Sequence, residues 1–350
     1  MAGDLRDRVE AALRDYLATE TASVEAIAEE LASLTEAATE FVLGGGKRLR
    51  PAFCYWGARA VGTPDSTALV RAAASLELLH ACALVHDDVI DRSATRRGRP
   101  ATHEHFAGLH AERHWAGSAA DFGQAIAILL GDLLLVWSDA MFATSGLDRD
   151  ALQRSRPIAE SMRVELMAGQ YLDVLEQARG GGSVERALRV ARYKAAKYTV
   201  ERPLHLGVAI GAGPPETFAA FSAFGLPLGE AFQLRDDLLG VFGDPDVTGK
   251  PAGDDFREGK RTVLIALAID GATPTGRAAL ERHLGDPDLD ESGVDALLEV
   301  VASTKAAATI ESMIVSRVDT AIYSLGAVDL EPAARDALIE LAGAATRRAD

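Results

Sequence analysis

The chain has 350 residues, 48% of them hydrophobic, 25% charged and 6% aromatic. That is enough apolar material for one large core or two ordinary ones, and it excludes a disordered chain. With 52 acidic against 36 basic residues, a formal charge of −16, the surface repels nucleic-acid phosphates, so no nucleic-acid partner is expected. Two cysteines, Cys54 and Cys82, cannot staple a chain of this size, which suits a reducing compartment and a cytoplasmic protein.

The first twenty residues carry acidic side chains on a helical pattern and lack an apolar signal core. Alanine, leucine and glutamate dominate, β-branched runs are scarce, and the apolar periodicity is helical almost throughout. It predicts helical stretches over 2–41, 68–90, 122–143, 150–177, 184–211, 216–241, 262–270, 274–283, 294–325 and 332–348. Glycine and proline clusters punctuate them at 44–46, 61–66, 179–183, 211–216, 243–246 and 285–288. The most apolar stretch, 125–141, contains Asp132 and Asp139 and falls short of the ~20 residues of a membrane span, so no integral membrane segment is expected. No linker or repeat divides the chain. The expected fold class is all-α: a single large helical bundle over 1–350, with the C-terminal third as its most independent part.

Two segments carry chemistry. In 76–100, Asp87 and Asp91 are four apart, and His80 lies seven before Asp87, so all three share one face of an apolar helix. Two like charges on a buried helix are costly without a cation between them. A hard divalent ion with positions left open for phosphate is the natural partner. In 231–262, Gln233, Asp236 and Asp237 share a second apolar helix, followed by Lys250, Asp254, Asp255, Lys260 and Arg261. A single Asp pair on a helix is ordinarily a solvated face. Two pairs, each inside an apolar helix and each trailed by cationic residues (Arg96 and Arg97; Lys250 and Lys260), point to Mg²⁺ together with phosphate oxygens.

With these motifs in order, the sequence closely resembles the all-trans isoprenyl diphosphate synthases, or polyprenyl synthetases. The resemblance rests on GGGKRLRP at 44–51, LLHACALVHDDVID at 78–91, RRGRP at 96–100, GQYLD at 169–173, YKAAKYTVERP at 193–203, FQLRDD at 232–237, and GK then EGK within 249–260. It implies an all-α bundle around a deep apolar cavity, a homodimer, and a prenyltransferase that joins isopentenyl diphosphate to an allylic diphosphate. By matching position it implies Asp87, Asp91 and Asp236 as Mg²⁺ ligands, with Asp88 and Asp237 as supporting carboxylates of the metal site and three Mg²⁺ per active site. Arg96, Lys194, Gln233, Lys250 and Lys260 would hold the allylic diphosphate, and Lys47, Arg50, His80 and Arg97 the isopentenyl diphosphate. Gln170 and Asp173 would flank the reacting centre.

Two positions depart from the family pattern. The second Asp-rich motif reads Asp-Asp-x-x-Asp in the family, but Gly240 stands at its last place, removing a carboxylate from the metal-facing side. Ala195 follows Lys194 where the family has Thr, removing one hydroxyl near the diphosphate. Neither removes a first-motif Asp, Arg or Lys. Neither argues for a dead enzyme; a non-catalytic partner subunit is an alternative that only these two departures favour. A terpene cyclase is a further alternative, though it would not need Lys47, Arg50, His80 and Arg97.

Other features read as structural. His103, His105, His110 and His114 are expected on a surface loop rather than at zinc, and Cys54 and Cys82 as small buried hydrophobes. Product length should follow from what blocks the space below Asp87. Cys82 and Ala83, about one helical turn deeper, are small where farnesyl-forming relatives carry aromatic side chains, and Leu79 lies a further turn down. Geranylgeranyl diphosphate, twenty carbons, is the expected product, with farnesyl or longer chains as alternatives.

Overall fold

The computed structural model describes residues 2–243, 253–286 and 288–346. Among these the chain is helical but for one two-stranded hairpin, in agreement with the all-α expectation. It divides into two compact units. The first comprises 1–55 and 63–153, the second 56–62 and 154–350.

The first unit begins with α1 (Ala2–Glu25) and, after a short 3₁₀ turn at Glu29–Leu31, α2 (Ala32–Leu43). α3 (Leu49–Ala60) crosses the unit boundary. α4 (Thr67–Asp91) and α6 (Ala119–Ala143) are its long central helices and pack on each other. Each starts from a serine whose side chain accepts a backbone N–H three residues on: Ser66 from Leu69, and Ser118 from Asp121. Between them lie the strands β1 (Thr95–Arg96) and β2 (Arg99–Pro100) and the helix α5 (Thr102–Glu112). Leu13 and Leu17 of α1, Leu69, Leu78 and Leu79 of α4, and Leu130 and Leu134 of α6 are buried almost completely.

The second unit takes most of α7 (Arg149–Arg179), then α8 (Val184–Val190), a π-helix over Ala191–Glu201, and α9 (Arg202–Ile210). α10 (Pro215–Phe242) is its central helix. The short α11 (Asp254–Arg257) follows, and then α12 (Val263–Gly271), α13 (Pro274–His283), α14 (Glu291–Ser303), α15 (Ala306–Ser324) and α16 (Pro332–Thr346). Leu234, Leu238 and Val241 of α10 join Phe256, Leu264, Ile265, Leu280, Leu297 and Ile310 in one core. Arg235 fastens α10 to α15 through a two-pronged pair with Glu311, at 2.5 and 2.7 Å.

Several boundaries differ from the expected ones. The stretch 2–41 breaks at Ala28, whose backbone is extended at φ −162° with no glycine or proline to mark it. α3 was not visible in the periodicity. Its Pro51 falls in the first turn, where the missing N–H is an orphan in any case. Three of the four histidines do not lie on a surface loop: His103, His105 and His110 are on α5, where His103 and His110 are buried and His110 packs against Trp115 and Phe122, while His114 lies on an exposed turn as expected. A hydropathy count treats the buried imidazoles as polar, whereas here they serve as the helix's inner face. The stretch 294–325 divides into α14 and α15 at Thr304 and Lys305.

By length and composition alone α4 and α6, at 25 residues each, are long and apolar enough to cross a bilayer, longer than the stretch 125–141 suggests. Of the apolar window, 72% is buried within the protein in α4 and 44% in α6. α4 is therefore a core helix, and one or two such helices are weak grounds for a span. Cys54 and Cys82 are free and buried as expected, and burial pushes both thiols up to about 12. Asp132 is exposed, with its carboxylate 3.8 Å from His86 Nε2.

Candidate active site

In the first unit three pieces of chain carry the cationic residues. Gly45 and Gly46 adopt φ of +101° and +130°, and Arg48 takes a left-handed φ of +52° before α3 begins. A non-glycine residue holds that conformation only against a stabilising surround. Here Arg48 is almost fully buried. It donates to Glu77 Oε2 of α4 at 2.8 Å and to the Val42 carbonyl at 2.8 Å, leaving Lys47 exposed and Arg50 half-buried on either side. Beyond α4, the two-residue turn Arg97–Gly98 has positive φ at both positions, +54° and +73°, which closes the β1–β2 hairpin and presents Arg96 and Arg97 side by side. Arg97 Nη1 donates to the Gly45 carbonyl at 3.1 Å, joining the hairpin to the glycine loop.

His80 of α4 sits among these cations. Burial, then Arg50, Arg97, Arg96 and Arg48, push its imidazole well below the usual histidine range. The structure thus brings Arg50, His80 and Arg97 into one electropositive cluster with Arg48. On the same helix Asp87 and Asp91 are both half-buried, while Asp88 is completely buried. Arg96 Nε donates to both Asp88 carboxylate oxygens, at 2.9 and 3.2 Å, and Arg96 Nη2 pairs with Asp88 Oδ1. Asp88 therefore orients Arg96. Of the residues implicated in product length, Leu79 and Cys82 are buried and Ala83 is half-buried.

In the second unit Lys194 lies on the π-helix, and its ammonium donates to Asp173 Oδ2 of α7 at 2.7 Å. Gln170 is half-buried one turn earlier on α7. On α10 Asp236 is half-buried and Asp237 buried, and Gln233 Nε2 donates to Asp237 Oδ1 at 2.8 Å. Burial pushes the Asp237 carboxyl up to about 8; Asp255 and Asp236 add to the rise, against the Gln233 bond and Lys260. Lys260 pairs with Glu258, and its Nζ is 3.8 Å from Asp255 Oδ1. Lys250 lies outside the described residues.

The sequence reading missed Arg48 and Glu77, whose pairing 29 positions apart no periodicity signals. It also passed over the roles of Asp255 and Glu258.

Among the described residues no three Asp, Glu, His or Cys side chains converge into a ready-made metal cage. Mg²⁺ does not need one: it is commonly held by one or two carboxylates, with phosphate oxygens and water completing the octahedron. Asp87 with Asp91, and Asp236 with its neighbours, offer such all-oxygen donor sets. At Gly240 a Cβ would fill a cradle now occupied by a carboxylate. The residues present fit the metal.

The family profile described as "Polyprenyl synthetase" matches residues 32–301. A geranylgeranyl pyrophosphate synthase from Corynebacterium glutamicum, crystallised with isoprenyl diphosphate and magnesium, superposes with a TM-score of 0.95 at 39% identity, covering 98% of each chain. A geranylfarnesyl diphosphate synthase of Aeropyrum pernix is 32% identical over 306 residues, 85% of this chain and 89% of its own. The octaprenyl diphosphate synthase of Escherichia coli is 31% identical over 343 residues, 96% of each. With the profile spanning most of the chain and both aspartate-bearing helices inside it, the protein belongs to the polyprenyl synthetase family.

Proposed function

We propose that the protein is a Mg²⁺-dependent trans-prenyltransferase that joins isopentenyl diphosphate head-to-tail to an allylic diphosphate, with geranylgeranyl diphosphate as product and residues 1–350 acting as a single synthase domain. The observation that carries this reading is that each unit holds its cationic groups on acidic ones around its aspartate-bearing helix: Arg96 on Asp88, which lies between Asp87 and Asp91 on α4, and in the second unit Lys194 on Asp173 and Lys260 near Asp255.

In the reaction the allylic C–O bond breaks to leave a carbocation and pyrophosphate. The isopentenyl double bond then attacks the cation, and a proton is lost to the released pyrophosphate. Asp87 and Asp91 in the first unit and Asp236 in the second would hold Mg²⁺, which would supply positive charge to the departing diphosphate, and a complement of three ions is proposed. Arg96, oriented by Asp88, and Lys194, held by Asp173, bind the allylic diphosphate oxygens together with Gln233, Lys250 and Lys260. Lys47, Arg50, His80 and Arg97 hold isopentenyl diphosphate, where a neutral His80 can donate one hydrogen bond without adding a charge. Gln170 and Asp173 flank the reacting carbons. A soluble, cytoplasmic homodimer is the proposed state. Ile128, Leu129 and Val136 form an exposed apolar stripe on α6 that suits a second copy.

The test is incubation of the purified protein with Mg²⁺, isopentenyl diphosphate and, separately, dimethylallyl, geranyl and farnesyl diphosphates, with products sized by mass spectrometry. A dominant twenty-carbon product is expected. A fifteen-carbon product would keep the transferase and overturn the product assignment, and no elongation with any primer would overturn the transferase itself.

A further inference from the structure

In the second unit, α10 carries Gln233 and Asp236, and the π-helix carries Lys194. What fixes these two elements against each other is a carboxylate outside the set assigned to substrate and metal. Glu230, about one turn before Gln233 on α10, is only 5% exposed. Arg192 of the π-helix meets its Oε1 with two nitrogens, Nε at 2.8 Å and Nη2 at 2.7 Å. Arg317 of α15 donates to its Oε2 through Nε at 2.9 Å. Each oxygen of this carboxylate is thus committed to a different helix. A buried carboxylate is costly without such partners, and a planar guanidinium fixes direction as well as charge.

Arg192 and Lys194 are two residues apart, so they leave the wide turns of the π-helix on nearly opposite sides. The Lys194 ammonium donates to Asp173 Oδ2 of α7 at 2.7 Å, while Arg192 reaches α10. One ion pair on each side therefore holds the turn that carries Lys194. Gly229, beside Glu230, lets the backbones close up, since a Cβ there would overlap Ala196 Cα. α10 is itself fastened to α15 at two points, Glu230 with Arg317 and Arg235 with Glu311. It is the π-helix, then, that the Glu230–Arg192 pair places.

We propose that Glu230 is a positioning residue for the transfer: through Arg192 it sets where the Lys194 ammonium stands relative to Gln233 and Asp236. It governs capture of the allylic diphosphate and leaves that of isopentenyl diphosphate, assigned to the first unit, untouched. This rests on the assignment of Lys194 to the allylic diphosphate given above.

The experiment is a double-mutant cycle on the full-length protein with Glu230→Gln, Arg192→Ala and the pair, folding being followed by circular dichroism. Steady-state constants are measured with Mg²⁺, geranyl diphosphate and isopentenyl diphosphate, and isothermal titration measures binding of the unreactive thiolo analogue of geranyl diphosphate. Glu230→Gln should raise KM for geranyl diphosphate and weaken the analogue by about fivefold to tenfold, the scale of one lost contact in a charge network. KM for isopentenyl diphosphate and kcat should stay near those of wild type. Arg192→Ala, at a half-exposed side chain, should act alike and keeps the test open if Glu230→Gln fails to fold. The double variant should be no weaker than the singles, because the two residues act as one device. A merely structural role would lower the melting temperature and move the constants for both substrates together. If either folded single variant binds the analogue like wild type, if both KM values rise alike, or if the two effects simply add, the role of Glu230 is overturned and the transferase stands. Absence of elongation by wild type would overturn the transferase and this proposal together.

Discussion

His80 shows how a single side chain takes its chemistry from neighbours far away in sequence. Burial and four guanidinium groups hold its folded pKa well below the usual 6.5, so the imidazole is neutral at pH 7 in both the folded and the unfolded chain. As pH falls through about 6.5 the unfolded chain takes up a proton that the folded protein refuses, and stability is lost. His80→Gln should therefore lose less melting temperature than wild type between about pH 7.5 and 5.5, as followed by circular dichroism. An equal loss in the two proteins would mean that His80 titrates normally. The spacing of His80 to Asp87 was legible in the sequence, and so were the lysine and arginines near it. The buried Arg48–Glu77 pair that fixes the glycine loop was not, because a contact between 48 and 77 depends on how α3 approaches α4 and leaves no local pattern.

At the scale of elements, the π-helix Ala191–Glu201 is the segment whose form matters most to the site. Wider turns of this kind recur at functional positions, and two flanking helices accommodate its backbone with glycines. A Cβ on Gly169 of α7 would overlap Lys194 N and lie 2.6 Å from Tyr193 C; one on Gly229 of α10 would overlap Ala196 Cα. Below these, Glu165 takes Arg202 at 2.6 Å and Lys197 at 3.2 Å, and Glu201 takes Lys197 and Ser222 at 2.8 Å each. The π-helix is thus clamped by backbone packing on two sides and by a largely buried charge network. Gly169→Ala should cost about 1–3 kcal/mol by overpacking and should displace Lys194 from Asp173. Urea unfolding measures the first effect, and a rise in KM for the allylic substrate measures the second. A variant with wild-type stability and KM would show that the glycine is incidental. The periodicity of 184–211 predicted helix here correctly. It did not show the wider turns, because eleven residues span too few turns for the two periods to be told apart.

For the whole molecule, the helical content, the two aspartate-bearing helices and most loop positions were legible, since each depends on local composition and on a 3.6-residue period. The division into two compact units was not. Two of its three boundaries fall inside α3 and α7, where a linker-based reading has no signal, and the third falls at 62/63 in the glycine and proline cluster after α3, which reads as an ordinary turn.

Product length is the property that depends on the most elements at once, and one fold can serve many lengths, so it must be set by particular side chains. Of the two positions one turn deeper than Asp87, Cys82 is buried, with its sulfur 3.8 Å from His86 Nδ1, and the His86 ring in turn lies against Gly131 of α6. A phenylalanine there would have to displace His86 from the α4–α6 packing, at about 1–3 kcal/mol, and would confuse a packing defect with a new floor. Ala83 is half-buried and can accept a ring with less disturbance. Ala83→Phe should shift the dominant product down by one five-carbon unit while leaving the melting temperature near that of wild type, read by mass spectrometry and circular dichroism on the same preparation. A twenty-carbon product from a stable Ala83→Phe would mean that the chain does not run past this face of α4, and that the floor belongs to another helix.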